Sequence, residues 1–153
     1  MLIRALVVMS LVVLPLASPG SGAKEPRTAC PVTKAIRAEP PRDPDAGPFG
    51  LGPWYVNADR TIWAGGDAVR MVAGENGNKV LWIRPQGTDL TVTGRRLHAD
   101  APPAKISIPC CYPTGFQASG LAFPTEGCWE ISAKAGTSAL TFVTRVGPES
   151  RAR

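Results

Sequence analysis

The chain has 153 residues, a formal net charge of +5, four cysteines, one histidine and 16 prolines. That length is within the usual range for one domain, and one compact domain is expected. Its lysines and arginines are scattered rather than clustered, which argues against nucleic acid as a partner.

The first 23 residues have the order of a secretory signal peptide. Arg4 supplies the positive start, Ala5 to Ala17 form an apolar run, and Ser18-Pro19-Gly20-Ser21-Gly22-Ala23 supply small residues for cleavage before Lys24. The apolar run is too short to cross a bilayer as a helix, which needs about 20 residues, so no transmembrane helix is expected in the mature chain. The expected location is secreted or periplasmic. A lipoprotein anchored through Cys30 is the alternative, but Arg27 stands where a lipobox needs an aliphatic residue. Cleavage leaves 130 residues with a charge of +4.

Residues 24–53 contain Pro26, Pro31, Pro40, Pro41, Pro44, Pro48 and Pro53 with Gly47, Gly50 and Gly52. Proline removes ladder donors and fixes φ, so this arm is expected to run extended, as a flexible spacer or packed along the domain.

From Trp54 onward, short runs rich in Val, Ile, Thr, Phe and Trp end in Gly, Pro, Asn or Asp. The predicted strands are 54–57, 61–64, 79–84, 90–97, 105–108, 120–123, 128–134 and 139–146. The last alternates, with Leu140, Phe142, Thr144 and Val146 on one face. Residues 134–138 predict a hairpin turn with Gly136 at positive φ, and Pro85-Gln86-Gly87-Thr88 predicts another. One weak helix candidate spans 67–73. The architecture favoured is an all-β, immunoglobulin-like antiparallel sandwich over 54–147, with Trp82 and Trp129 in its core and a disordered tail over 148–153.

The segments Leu90-Thr91-Val92-Thr93-Gly94-Arg95-Arg96-Leu97 and Phe123-Pro124-Thr125-Glu126-Gly127-Cys128-Trp129-Glu130-Ile131, with Leu140-Thr141-Phe142-Val143 and Cys30-Pro31-Val32-Thr33, carry a resemblance. They are similar to a group of small secreted or lipid-anchored bacterial proteins that have no assigned activity. The resemblance implies a β-sandwich envelope protein with Cys30 and Cys128 as the matching cysteines, and it brings no catalytic residues with it.

Four cysteines in an exported chain read as cross-links, and three pairings are possible. Cys30 with Cys128, the pair matched in the resemblance, is favoured. Closing so long a loop stabilises a fold by roughly 4 to 5 kcal/mol in the chain-entropy description. Cys110 and Cys111 then pair with each other or remain thiols.

No metal or cofactor is expected. His98 with Cys110, Cys111 and Cys128 makes a nominal ligand set, but without CxxC or HxxxH spacing, and the mature chain offers copper only Met71. No catalytic residue is assigned: His98 beside Asp100 has no GxSxG serine to activate, and Glu126 and Glu130 lie in a turn and strand. The candidate ligand-binding residues are Trp54, Tyr55 and Trp63, as a stacking group, and Arg95 and Arg96, as contacts for an anion. Packing in the core is the competing reading for the aromatic residues, and a solvated strand end for the arginines.

The function expected is therefore a non-enzymatic sandwich that binds a protein or a cell-envelope component. The alternative is a carbohydrate-binding module using surface aromatics on a glycan; a hydrolase ranks third.

Overall fold

The structure is a computed structural model that describes residues 29–149, apart from Asp45 and Cys111. The expected signal peptide, the start of the arm and the end of the tail lie outside the described residues.

The chain is nearly all β. Its strands are β1 (Ile36–Ala38), β2 (Gly52–Val56), β3 (Trp63–Gly66), β4 (Gly74–Ile83), β5 (Leu90–Arg96), β6 (Lys105–Ser107), β7 (Phe116–Phe123), β8 (Gly127–Ala135) and β9 (Ser138–Val146). They form two antiparallel sheets in a sandwich-like arrangement, a six-stranded sheet ordered β1-β2-β3-β4-β7-β6 and a three-stranded sheet ordered β5-β8-β9. The weak helix candidate reduces to one 3-10 turn, Asp67–Val69.

Alternation along the strands builds the core. On β4, Val80 and Trp82 face the small sheet, where they join Tyr55, Leu121, Phe123, Trp129, Ile131 and Phe142 in the main cluster. Burying side chains of this size stabilises by about 1.5 to 3 kcal/mol each. Trp82 and Trp129 are fully buried, as the sequence predicts. Buried indoles need acceptors, and both have one: Trp82 Nε1 donates to Ser119 Oγ at 2.7 Å and Trp129 Nε1 to the Thr125 carbonyl at 3.0 Å.

The opposite face of the large sheet is covered in part. Trp54, Trp63 and Ile83 form a second cluster there, packed against Ile36, Ala38, Phe49, Val56, Leu81 and Phe116. Half of that cover comes from the arm. Phe49 stacks on Phe116 and meets Trp54 edge-on, and the Asp43 carboxylate, buried, accepts from the backbone N–H of Phe116 and of Ala46. Thus the described part of the arm is packed, not a free spacer, because the apolar face of a central sheet must be shielded from water. Upstream, Thr33 exchanges hydrogen bonds with Val143 on the outer edge of β9, and Cys30 is bonded to Cys128 on β8. The arm therefore touches both sheets.

The two turn predictions fare differently. Residues 136–137 do connect β8 and β9 as a hairpin, with Gly136 at φ 58°. Pro85–Thr88 is no hairpin: β4 pairs with β3 and β7, whereas β5 pairs with β8, so this turn carries the chain from one sheet to the other. A short turn reads the same in sequence whether its flanking strands pair or part.

Candidate functional site: an arginine-walled cleft at the end of the sandwich

The crossing from β4 to β5 creates the most chemically distinctive place among the described residues. Alternation along Val80, Trp82 and Arg84 points Arg84 toward the space between the sheets, where an apolar residue would continue the core. Its backbone N–H still bonds the Gly115 carbonyl at 2.8 Å, extending the pairing of β4 with β7 by one residue. Pro85 has no N–H to offer and the ladder ends there. The Thr88 hydroxyl and N–H both return to the Pro85 carbonyl, closing the turn.

The Arg84 side chain is buried, with 6% of its surface exposed. Nη2 donates to the Tyr112 carbonyl at 3.0 Å and, at 3.5 Å, to Gln117 Oε1; Nη1 donates to the Pro85 carbonyl at 3.3 Å. Nε–H has no acceptor among the described residues. Every acceptor is neutral, and no carboxylate of the described residues stands within ion-pair distance, the only such pairs being Arg95–Glu130 and Lys105–Glu75. Burial pushes the guanidinium below the usual arginine pKa, and the charge of Asp89 partly offsets this. A buried cation whose direct hydrogen-bond acceptors are all neutral is costly, even with a carboxylate charge nearby.

Arg84 lines a cleft of about 470 Å³ at the end of the sandwich. Ile108, Pro109 and Pro113 give it apolar walls, Tyr112 stands half-exposed on it, and Asp89 and Gln117 are its other polar side chains of note. Gln117 is itself buried, with Nε2 committed to the Pro109 and Ala118 carbonyls at 2.9 Å each. That commitment fixes which end of the amide faces Arg84. Cys110 also lines the cleft and is disulfide-bonded rather than a thiol; Cys111 lies outside the described residues.

A second cleft, of about 400 Å³, runs between Pro102, Pro103, Phe123 and Pro124. Its ion pair, Lys105 with Glu75 at 3.4 Å, is 79% and 92% exposed and therefore contributes little. No buried polar atom faces it without a partner.

The residues singled out from sequence do not converge on either cleft. Trp54, Tyr55 and Trp63 are 4%, 4% and 2% exposed, so the surface stacking group is absent and core packing is the observed arrangement. The reason is alternation along β2 and β3, two strands that are buried on both faces. Trp54 and Trp63 meet edge-to-face under the arm, while Tyr55 points the other way and stacks on Phe142. Burial raises the Tyr55 pKa, opposed by a hydrogen bond with the Thr144 side chain. Arg95 and Arg96 also separate. Arg95 is exposed and pairs with Glu130, its cross-strand neighbour, at 2.7 Å; Arg96 is half-buried on the opposite side, against Gly127 and the Thr125 hydroxyl. The anion that Arg95 meets is thus the protein's own.

His98 is exposed at a strand end with φ 61°. Among the described residues no group of three or more His, Cys, Asp and Glu side chains is placed to hold a metal ion, and no helix is long and apolar enough to cross a membrane. The Cys30–Cys128 bond has a Cα–Cα distance of 5.5 Å, within the ordinary range for a disulfide.

Sequence reasoning passed over Arg84, Gln117 and Tyr112. One signal was present: an arginine in phase with Val80 and Trp82, at a position whose alternation calls for an apolar side chain. No protein-family model, curated protein or solved structure matches the chain.

Proposed function

We propose that the chain is an exported, non-enzymatic β-sandwich that works by binding a protein or cell-envelope component. The observation that carries this reading is the end cleft, where a buried and incompletely satisfied guanidinium meets apolar walls and a half-exposed tyrosine. Binding sites share that composition: mostly apolar, with a few placed polar groups. The signal-peptide pattern and a disulfide spanning the domain are both compatible with an oxidising, extracytoplasmic compartment. The Cys30 sulfur, bonded to Cys128, has no valence left for a diacylglyceryl thioether, which favours a cleaved signal over lipid anchoring. The resemblance to small exported bacterial proteins supports the same class.

A photo-crosslinking residue in place of Tyr112, in cells exporting the full chain, tests the reading. A discrete adduct is expected there and none when the same group replaces Thr91, exposed on the small sheet. Adducts that do not depend on position would overturn binding at the cleft. Loss of a measurable hydrolysis in His98→Ala, with the melting temperature unchanged, would overturn the non-enzymatic part. Intact-mass measurement of the exported protein should place Lys24 at the N-terminus.

A further inference from the structure

We infer that the end cleft is a receptor for a carboxylate carried on a small apolar or aromatic body, with Arg84 as the charge that recognises it. The inference rests on the binding reading above and names the ligand class for the same cleft.

Donor supply comes first. A guanidinium has five N–H groups, and the described residues give Arg84 three acceptors, one of them as far as 3.5 Å. Nε–H and one Nη1–H are left over. Buried donors without acceptors are rare in folded proteins; because both Nη2–H groups are committed, the spare Nε–H and Nη1–H lie on different edges of the guanidinium, and an anion would meet one of them in a single charge-assisted bond, not the paired fork.

Charge then selects between a carboxylate and a phosphate. The cleft offers one buried positive charge, and Asp89 stands on its rim close enough to act on Arg84. Arg84 and Asp89 already cancel, so every negative charge on a ligand adds repulsion from the Asp89 carboxylate: a carboxylate monoanion brings one such charge and a phosphate dianion two, which favours the carboxylate. The remainder of the wall specifies the body of the ligand: Ile108, Pro109 and Pro113 present apolar surface, and the Tyr112 ring, held edge-on to Phe116 at 5.8 Å, offers a face for packing.

Arg84 also has a structural duty, since Nη2 ties the Tyr112 carbonyl to the end of β4. A purely structural arginine and a receptor arginine differ in one respect. Only the receptor distinguishes a carboxylate from its amide.

The test is titration of the intact, disulfide-bonded protein, followed by two-dimensional NMR, with N-acetylphenylalanine, N-acetylphenylalanine amide and phenyl phosphate. The carboxylate should shift the amides of Thr88, Asp89, Tyr112 and Gln117 and bind at least about tenfold more tightly than the amide, since truncating one side of a charge-assisted bond costs a tenfold factor or more. Phenyl phosphate should bind more weakly than the carboxylate. Equal affinity for acid and amide, tighter binding of the phosphate, or no shifts at the cleft would each overturn the inference. If these probes fail while the Tyr112 crosslink forms, the cleft binds something other than a carboxylate and the binding reading stands; if both fail, the binding reading falls too.

Arg84→Gln should abolish the preference for acid over amide. Because that variant risks loosening the Tyr112 tether, Asp89→Asn provides an independent check at an exposed position. Removing the rim charge should tighten carboxylate binding by about twofold at low salt, and unchanged or weaker binding would count against the inference.

Discussion

Two residues show how closely the outer and inner faces of the large sheet are fitted. Gly65 lies beneath the Trp54 ring, so that a Cβ there would stand 2.4 Å from two ring carbons. Trp54 has no room to yield, being held edge-on by Phe49 and Trp63. Gly65→Ala is therefore expected to destabilise by about 1 to 3 kcal/mol, the usual cost of overpacking, read as a lower denaturant midpoint with unchanged slope. On the inner face, Tyr55 has a pKa raised above its ordinary value of 10.0 by burial. The folded state thus favours the neutral phenol. That contribution is fully present below the unfolded pKa and is lost as pH rises from about 10 through the folded value. Melting temperatures should fall more steeply above pH 10 in the parent than in Tyr55→Phe; identical slopes would show that the phenol does not govern alkaline stability.

At the scale of elements, the Cys30–Cys128 bond and the hairpin of β8 and β9 explain why the N-terminal arm stays in place. Cys128 lies opposite Arg145 of β9 within a ladder that runs from Gly127–Val146 to Ala135–Ser138. A sulfur on that rigid hairpin fixes the arm at a sequence separation of 98 residues. Closing a loop of that size lowers the entropy of the unfolded chain by an amount worth about 4.7 kcal/mol. Replacing either cysteine by serine should remove several kcal/mol, measured by urea unfolding of the exported protein. Non-reducing peptide mapping should link the Cys-Pro-Val-Thr and Gly-Cys-Trp-Glu peptides. A map joining Cys30 to Cys110 or Cys111 would contradict the fold described above.

For the whole molecule, the decisive feature is that the large sheet is buried along its inner face and, around β2, β3 and the end of β4, on its outer face as well. The inner face is covered by the small sheet, and the outer patch in part by chain that reads as a linker. Trp54 and Trp63 report on the outer cluster, Trp82 and Trp129 on the inner. If arm and sandwich form one cooperative unit, the unfolding curves of single-tryptophan variants from the two clusters should coincide with each other and with the far-ultraviolet signal. An earlier transition for the outer pair would show that the arm detaches first. Asp43→Ala should move both curves together, by about 1 to 3 kcal/mol, since it leaves the Phe116 and Ala46 N–H groups without that acceptor.

What the sequence by itself determined is local. Runs rich in β-branched and aromatic residues at even spacing specify strands, and all eight predicted runs from Trp54 to Val146 overlap observed strands, with boundaries off by up to a few residues. Gly136 specifies the last hairpin, and the even cysteine count points to cross-links. Tertiary structure alone decided the rest, because period-2 alternation records that a side chain is buried but not which face or what covers it. β1, three residues in a proline-rich arm, exists only through its pairing with β2. Trp54 and Trp63 look the same in sequence on an open surface or under a covering arm, and Arg95 and Arg96 become separate features only when register sets Arg95 opposite Glu130. The Arg84 cleft depends on the same non-local facts: a turn that crosses between sheets, and a Tyr112 carbonyl 28 residues away that holds the guanidinium in place.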